Sequence, residues 1–315
     1  MIIQYSTRRY HMGYGSYRSK DWDTLKSSRN INSQSTVREL YRSKSMKESL
    51  NPYGVAYRES RDSMDNPAST AIIIGLDVTG SMGYLSEEIA KGALNRTMME
   101  IYDKNPVTNP HIMFQAIGDS LSDSAPLQTT QFEADIRIAE QLLDVYFEGG
   151  GGGNGGESYL LSWYFAANHT KIDCYENRHE KGFLFTIGDE RCHKVLTQKE
   201  VIDVYGDKDT NEQYTAKELF DKASEKYEIF HIVMKAGSYK SQGSGEDWHA
   251  LIGSRAIELD PADLDVLPEI FVSLMLYARG TETDVILSQW NGKAVDIVKQ
   301  ILQDMKASSD PFLVW

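Results

Sequence analysis

The stretch AIIIGLDVTGSMGYLSEE, residues 71–88, decides the fold. An apolar run ends at Asp77, two hydroxyl residues follow at Thr79 and Ser81 with Gly80 between them, and a helix-like segment begins after Gly83. A short apolar run rich in β-branched residues and bounded by turn residues reads as a buried strand. One carboxylate and two alcohols therefore stand at the carboxyl end of a core strand, which is where open α/β sheets bind their ligands.

Outward from this stretch, apolar runs alternate with amphipathic ones. Ala90, Leu94, Met98 and Ile101 recur at helical spacing, and HIMFQAIG (111–118) reads as a second strand. PLQTTQF (126–132) suits a short edge strand, residues 133–146 a helix, and Glu157–Asn168 another helix after the run GGGGGNGG (149–156). GFLFTIG (182–188), YEIFHIVM (227–234) and SRAIEL (254–259) read as strands, with helices over 194–204, 215–227 and from Pro268 onward. Strands alternating with helices predict an α/β fold with a doubly wound, mostly parallel central sheet flanked by helices.

Three segments follow from the composition. Residues 1–68 form a basic, Tyr- and Ser-rich N-terminal arm, poor in Ile, Val and Leu, read as irregular and extended with a short helix around Thr36–Lys47. Residues 69–279 form the α/β domain. Residues 280–315 form a C-terminal helical extension, with Ala294, Ile297, Val298, Ile301, Leu302 and Met305 on one face, ending in the apolar tail PFLVW. The arm carries 12 Lys and Arg against 7 Asp and Glu, which leaves 21 against 39 for the rest. So acidic a body argues against a nucleic-acid-binding core, while the basic arm suits an acidic contact, the body included.

Two cysteines, Cys174 and Cys192, exclude a disulfide scaffold. The first 30 residues lack the charged-then-apolar pattern of a secretory leader, and no apolar run is long enough to cross a bilayer. The expectation is a soluble, cytoplasmic protein without a membrane partner.

Three polar clusters fall at strand ends: Asp77, Thr79 and Ser81; Asn154, Glu157 and Ser158; and Asp189. Oxygen donors from separate loops, with few charges and many hydroxyls, suit a hard divalent cation, Mg²⁺ first, with Mn²⁺ or Ca²⁺ as substitutes. Hydroxyl donors leave such a cation under-neutralised, so an open position would attract an outside carboxylate.

DVTGSM resembles the Asp-x-Ser/Thr-x-Ser signature of von Willebrand factor type A (VWA) domains, where it forms the metal-ion-dependent adhesion site (MIDAS). The order is similar over residues 69–279: signature after the first strand, a Gly-rich loop before a helix, then an Asp in the context TIGDE. The resemblance implies metal ligands at Asp77, Thr79, Ser81 and Asp189. The family usually places a Thr in the middle loop. GGGNGGES has none and looks like a bacterial variant, with Asn154 at the ligand position and Glu157 as the alternative.

Bland readings compete at each position. Asp77 and Ser81 are good helix N-caps, and Asn154 with Glu157 resembles a capping box. Gly75–Met82 is not a phosphate-binding loop, because Ser81 and Met82 stand where Lys and Ser or Thr are needed. It lacks the second Asp of the haloacid-dehalogenase phosphotransferases, since Thr79 occupies that place. DKDTNEQYTAKE (207–218) spaces its acids like a calcium loop, but Glu212 replaces the turn Gly, and Thr215 with Glu218 makes a capping box instead. His169, His179 and His193 lie near the cysteines without zinc spacing.

The resemblance implies a non-enzymatic, metal-dependent protein–protein interaction module, an adaptor or scaffold whose partner supplies an Asp or Glu to the metal. Intracellular bacterial and phage relatives often work with AAA+ ATPases. The alternatives are an RNA-associated VWA protein using the basic, Tyr-rich arm, and metal-dependent hydrolysis with Glu157 as base.

Overall fold

The computed structural model describes residues 15–149, 156–237 and 239–308, apart from the side chains of Ser81, Leu85 and Ala90. Its centre is a six-stranded sheet of β1 (Thr70–Asp77), β2 (Pro110–Ile117), β3 (Leu127–Thr129), β4 (Gly182–Gly188), β5 (Tyr227–Met234) and β6 (Ala256–Leu259). The strands lie in the order β6-β5-β4-β1-β2-β3. All neighbours pair in parallel except the edge strand β3, which is antiparallel to β2. Register sets Ile72 against Ile112 on one side and Phe183 on the other.

Strand β1 is buried along its whole length, which explains why its sequence is continuously apolar rather than alternating. Its side chains still divide by parity. Ile72, Ile74 and Leu76 join Phe183, Phe185, Phe230 and Ile232 in one cluster, whereas Ala71 and Ile73 join Leu184, Ile229 and Val233 in another. The first cluster is completed by helices α1 (Ser19–Arg29), α2 (Leu94–Lys104), α7 (Leu267–Ala278) and α8 (Lys293–Ala307). The second is completed by α3 (Tyr159–Asn168), α4 (Gln198–Tyr205), α5 (Ala216–Ser224) and α6 (Ser244–Ile252). Helices thus cover the apolar surface of the sheet on both sides.

The arm differs from its reading as extended chain. Residues 19–29 are helical, and Tyr17, Trp22, Leu25, Leu40, Tyr41 and Leu50 enter the first cluster. A few large residues spaced along a polar sequence bury enough surface to hold it down, although the window as a whole looks hydrophilic. The helix expected over 36–47 shrinks to Val37–Leu40, started by a Thr36–Glu39 capping box. Arg29 and Lys47 both reach Asp144, at 3.3 and 2.7 Å, so the basic arm does contact the acidic body.

Other boundaries shift as well. The helix expected over 133–146 is formed only at Arg137–Leu142. Residues 195–197 pair antiparallel with 213–215 before α4 begins, because Thr197 caps that helix with Glu200. A short parallel pair, 58–60 with 170–172, and helix α6 had no periodic signal strong enough to predict them. On α8, Ala294, Val298, Leu302 and Met305 are buried, while Ile297 and Ile301 are only partly covered. PFLVW lies outside the described residues.

Candidate functional site

Strands β1, β2 and β4 run parallel, so their carboxyl ends meet at one edge of the fold. Each is followed there by an aspartate: Asp77, Asp119 and Asp189, all fully buried. Asp77 is held by the turn that follows it. The Thr79 backbone N–H donates to Asp77 Oδ1 at 2.8 Å, and the Thr79 hydroxyl donates to the same oxygen at 2.6 Å. This self-bonding is what short Asx and hydroxyl side chains do at turns. The backbone then makes one 3-10 turn at Gly80–Met82 and enters a helix at Gly83–Glu88, interrupted by a π turn at Ile89–Ala93. π turns inside helices often accompany functional sites.

The second oxygen of Asp77 accepts from the Tyr159 hydroxyl at 3.1 Å. Tyr159 was not read from the sequence as a site residue. Its ring packs edge-on against both His231 and Trp248, with centroids at 5.0 and 5.3 Å, and those two rings stack on each other. The hydroxyl has room only because residue 188 is Gly: a Cβ there would sit 1.8 Å from the Tyr159 oxygen and 3.0 Å from Asp77 Oδ2.

Burial pushes the Asp77 carboxyl up to about 7; the Thr79 bonds oppose this, and the neighbouring charge of Asp189 adds to it. Asp189 and Asp77 also help burial push the Tyr84 hydroxyl up to about 12. None of the principal influences on Asp77 is a cation. Two buried carboxylates at neighbouring strand ends raise the cost of charging both.

Glu157 is brought to the same place. Its backbone bridges to Arg191–His193, it is 4% exposed, and its Oε2 has no hydrogen-bond partner among the described residues. Burial, then repulsion from Asp77, Asp119 and Asp123, push its carboxyl up to about 10.

Asp119, also missed in the sequence, anchors a polar chain beside the site. His193 Nε2 lies 2.9 Å from its Oδ1, the Ser120 N–H donates to Ser158 Oγ at 2.9 Å, and the Ser120 hydroxyl donates to Glu200 at 2.6 Å. The signal was present: Ile117-Gly118-Asp119 repeats the Ile187-Gly188-Asp189 pattern at the end of β4, on the other side of β1.

Of the expected ligands, Asp77 and Thr79 stand together in direct contact, and Asp189 acts on Asp77 through its charge. Ser81 keeps its place in the turn, but its side chain is outside the described residues, as is the whole of Asn154. The capping-box reading of Asn154 with Glu157 falls outside them too. Neither Asp77 nor Ser81 is the N-cap of the turn that opens the helix; Thr79 is, without a side-chain cap bond.

Among the described residues no group of three or more His, Cys, Asp and Glu side chains is arranged to hold a metal ion. The set here is smaller in carboxylates: Asp77 and Asp189, with hydroxyls. Its chemistry nevertheless fits a cation, because two fully buried carboxyls stand at neighbouring strand ends and a hydroxyl that donates to Asp77 still offers lone pairs. The 207–218 segment does not behave as a calcium loop. Asp207 accepts from the Tyr164 hydroxyl and approaches His169, and Thr215 and Glu218 form the capping box. His193 is engaged with Asp119 and His169 with Asp207, which removes both from any zinc site.

The arm packs against the helix that follows the signature. The Tyr41 hydroxyl donates to the Ser86 carbonyl at 3.0 Å, and the Val37 N–H donates to Glu87 at 2.9 Å. Its acids are engaged elsewhere: Glu39 caps Thr36, Glu59 pairs with Arg61, and Asp62 with Arg178.

No family profile matches the sequence, and no curated protein matches it. Among solved structures, the chain is similar to the pilus adhesin SpaC from Lactobacillus rhamnosus GG in its open conformation, with 9% identity and a TM-score of 0.45 over 69% of this chain and 31% of that one. It is also similar to proximal thread matrix protein 1 from the mussel byssus, with 13% identity and a TM-score of 0.38 over 66% of this chain and 48% of that one. The chain thus spans about a third of the adhesin and about half of the mussel protein. No helix among the described residues is long and apolar enough to cross a membrane.

Proposed function

We propose that this chain is a VWA-like, doubly wound domain whose MIDAS-type site binds a divalent cation and uses it to capture a carboxylate from a protein partner. The observation that carries the reading is the pair of fully buried carboxylates Asp77 and Asp189 at the carboxyl ends of adjacent parallel strands, where the charge of Asp189 adds to burial in raising the Asp77 carboxyl. Asp77, Thr79, Ser81 and Asp189 would hold the cation, with Asn154 from the glycine loop. Mg²⁺ fits this oxygen-only set best, because it keeps water where protein donors are few. When bound, the cation supplies an electrostatic anchor for an acidic side chain. The protein's own part is to orient Asp77 through Thr79 and Tyr159, exclude competing cations by burial, and surround the open position with surface that selects the partner.

Adaptor or scaffold work in the cytoplasm, with an AAA+ ATPase as one partner, is the biological setting proposed for it.

The test is calorimetric titration of Mg²⁺ and Mn²⁺ into the full chain, followed by a capped glutamate peptide. The reading requires metal binding that Asp77→Ala abolishes and Glu157→Gln preserves, and peptide binding only after metal. Equal metal binding by wild type and Asp77→Ala would refute it.

A further inference from the structure

Helix α3 meets the aspartate site with its first residue, Tyr159, and its last turn lines a second hollow. A pocket of about 670 Å³ opens there between the ends of α3 and α4 and arm residues 53–57, within the size range of small-molecule sites. Its back wall is aromatic and fixed. Tyr164 stacks on Tyr205 at 5.0 Å and meets Tyr214 edge-on at 5.6 Å. The Tyr205 hydroxyl donates to the Leu161 carbonyl at 2.7 Å, and the Tyr164 hydroxyl donates to Asp207 at 2.8 Å.

The arm supplies the opposite side and is tied in place. The Gly54 N–H donates to the Tyr205 carbonyl at 2.9 Å, and His169 Nδ1 lies 2.9 Å from the Val55 carbonyl. Tyr53 crosses Gly206, where a Cβ would stand 3.2 Å from its ring. Although their loop is anchored, Tyr53 and Tyr57 remain 57% and 48% exposed. Tyrosines held this way offer amphipathic contact area at low cost in conformational entropy.

The polar lining decides which ligand fits. It carries Asp207 and Asp209 together with Lys208 and Lys222, so its formal charges cancel. Asp207 spends Oδ2 on Tyr164 and His169 and, among the described residues, keeps Oδ1 as an acceptor. Asn168 Nδ2 donates to the Tyr164 carbonyl at 3.0 Å, which fixes its amide and leaves Oδ1 to accept. A strongly anionic ligand would meet two aspartates. A cation would meet two lysines, with a third, Lys171, already 4.1 Å over the Tyr57 ring. A ligand covered in hydroxyls suits both charges, because a hydroxyl can donate once and accept twice. A ligand with an apolar C–H face also suits the tyrosine rings, whose faces carry negative charge density. A pyranose ring has both properties.

We propose that this pocket binds a neutral hexopyranose unit, its C–H face on the exposed tyrosines and its hydroxyls shared among Asp207, Asn168 and the lysine ammoniums. The 207–218 segment, spaced like a calcium loop but not folded as one, finds its use here. Tyr214 bonds Thr210 at 2.9 Å across that loop, which sets Asp207, Lys208 and Asp209 at the pocket. Binding here makes no use of the metal site at the other end of α3.

The experiment is NMR titration of the full chain with the methyl glycosides of glucose, galactose and mannose, and with cellotetraose and maltotetraose. Saturable binding of at least one is expected. Tyr53→Ala/Tyr57→Ala is expected to bind it about 10-fold more weakly. Tyr53→Phe/Tyr57→Phe, which keeps both ring faces, is expected to stay within about 2-fold of wild type. A tetramer that binds more tightly than every monosaccharide assigns the unit to a glycan chain, and equal affinity assigns it to a free sugar. Absence of saturable sugar binding by wild type would overturn the proposal, as would equal affinity in the Ala variant. Tighter binding of uridine monophosphate or tetramethylammonium than of any sugar would assign the pocket to an anion or a cation and overturn it as well.

Discussion

Helix α3 presents two tyrosines to two aspartates, and the two pairs lead opposite lives. Tyr159 donates to Asp77 at 3.1 Å and Tyr164 donates to Asp207 at 2.8 Å. Asp207 is about a third exposed and has His169 Nε2 at 3.0 Å as well. Asp77 is sealed from water, faces Asp189, and has only hydrogen bonds to offset its charge. The same donor and acceptor types make a locally satisfied surface contact in one place and an electrostatic demand in the other. Burial and the sign of the nearest charge decide between them, and under the proposed reading only the Asp77 site would take a cation.

That contrast can be broken at its tightest point first. Gly188→Ala places a methyl group on the Tyr159 hydroxyl, and that ring cannot retreat from His231 and Trp248. A loss of about 3 kcal/mol of stability is expected in chemical denaturation, together with loss of metal binding.

Asp77→Asn comes next. The folded carboxyl titrates near 7 and its unfolded counterpart near 3.8. The folded state thus holds the proton more tightly, and the stability contributed by the protonated acid is lost as pH rises from about 4 through about 7. The metal-free Asn variant lacks this loss. It is expected to be more stable than wild type by on the order of 2 kcal/mol at pH 8 and to converge with it towards pH 4, as measured by urea midpoints across that range.

Tyr159→Phe removes one hydrogen bond from a buried carboxylate. It is expected to cost about 1 kcal/mol and to make the pH dependence of wild type steeper. Asp207→Asn, the comparison's other half, is expected to change stability by about 0.5 kcal/mol and to leave metal binding unchanged. A large effect of Asp207→Asn on cation binding would show that the two pairs are not separate.

The sequence carried the frame well because strands β1, β4 and β5 are predominantly apolar and cleanly bounded, and YEIFHIVM matches β5 residue for residue. It carried Asp77 and Thr79 because the turn that holds them is local. Tyr159 was invisible as a site residue for the opposite reason, whereas Asp119 stood in a legible Ile-Gly-Asp pattern that went unused. A tyrosine in an all-apolar helix reads as core, and its contact with Asp77 spans 82 positions. The arm was misjudged by averaging: Tyr17, Trp22 and Leu25 are buried singly among polar neighbours, so no window flags them. Helix α6 was missed because its buried face is little more than Trp248 and Ile252 within a polar segment.

The most direct measurement is the thermal unfolding midpoint of wild type and Asp77→Asn at pH 8, with and without millimolar Mg²⁺. If the buried acid pair is a cation site, Mg²⁺ raises the wild-type midpoint by several degrees and leaves the variant, already relieved of its repulsion, unchanged. An Mg²⁺ shift absent from wild type, or equal in both proteins, would contradict the account.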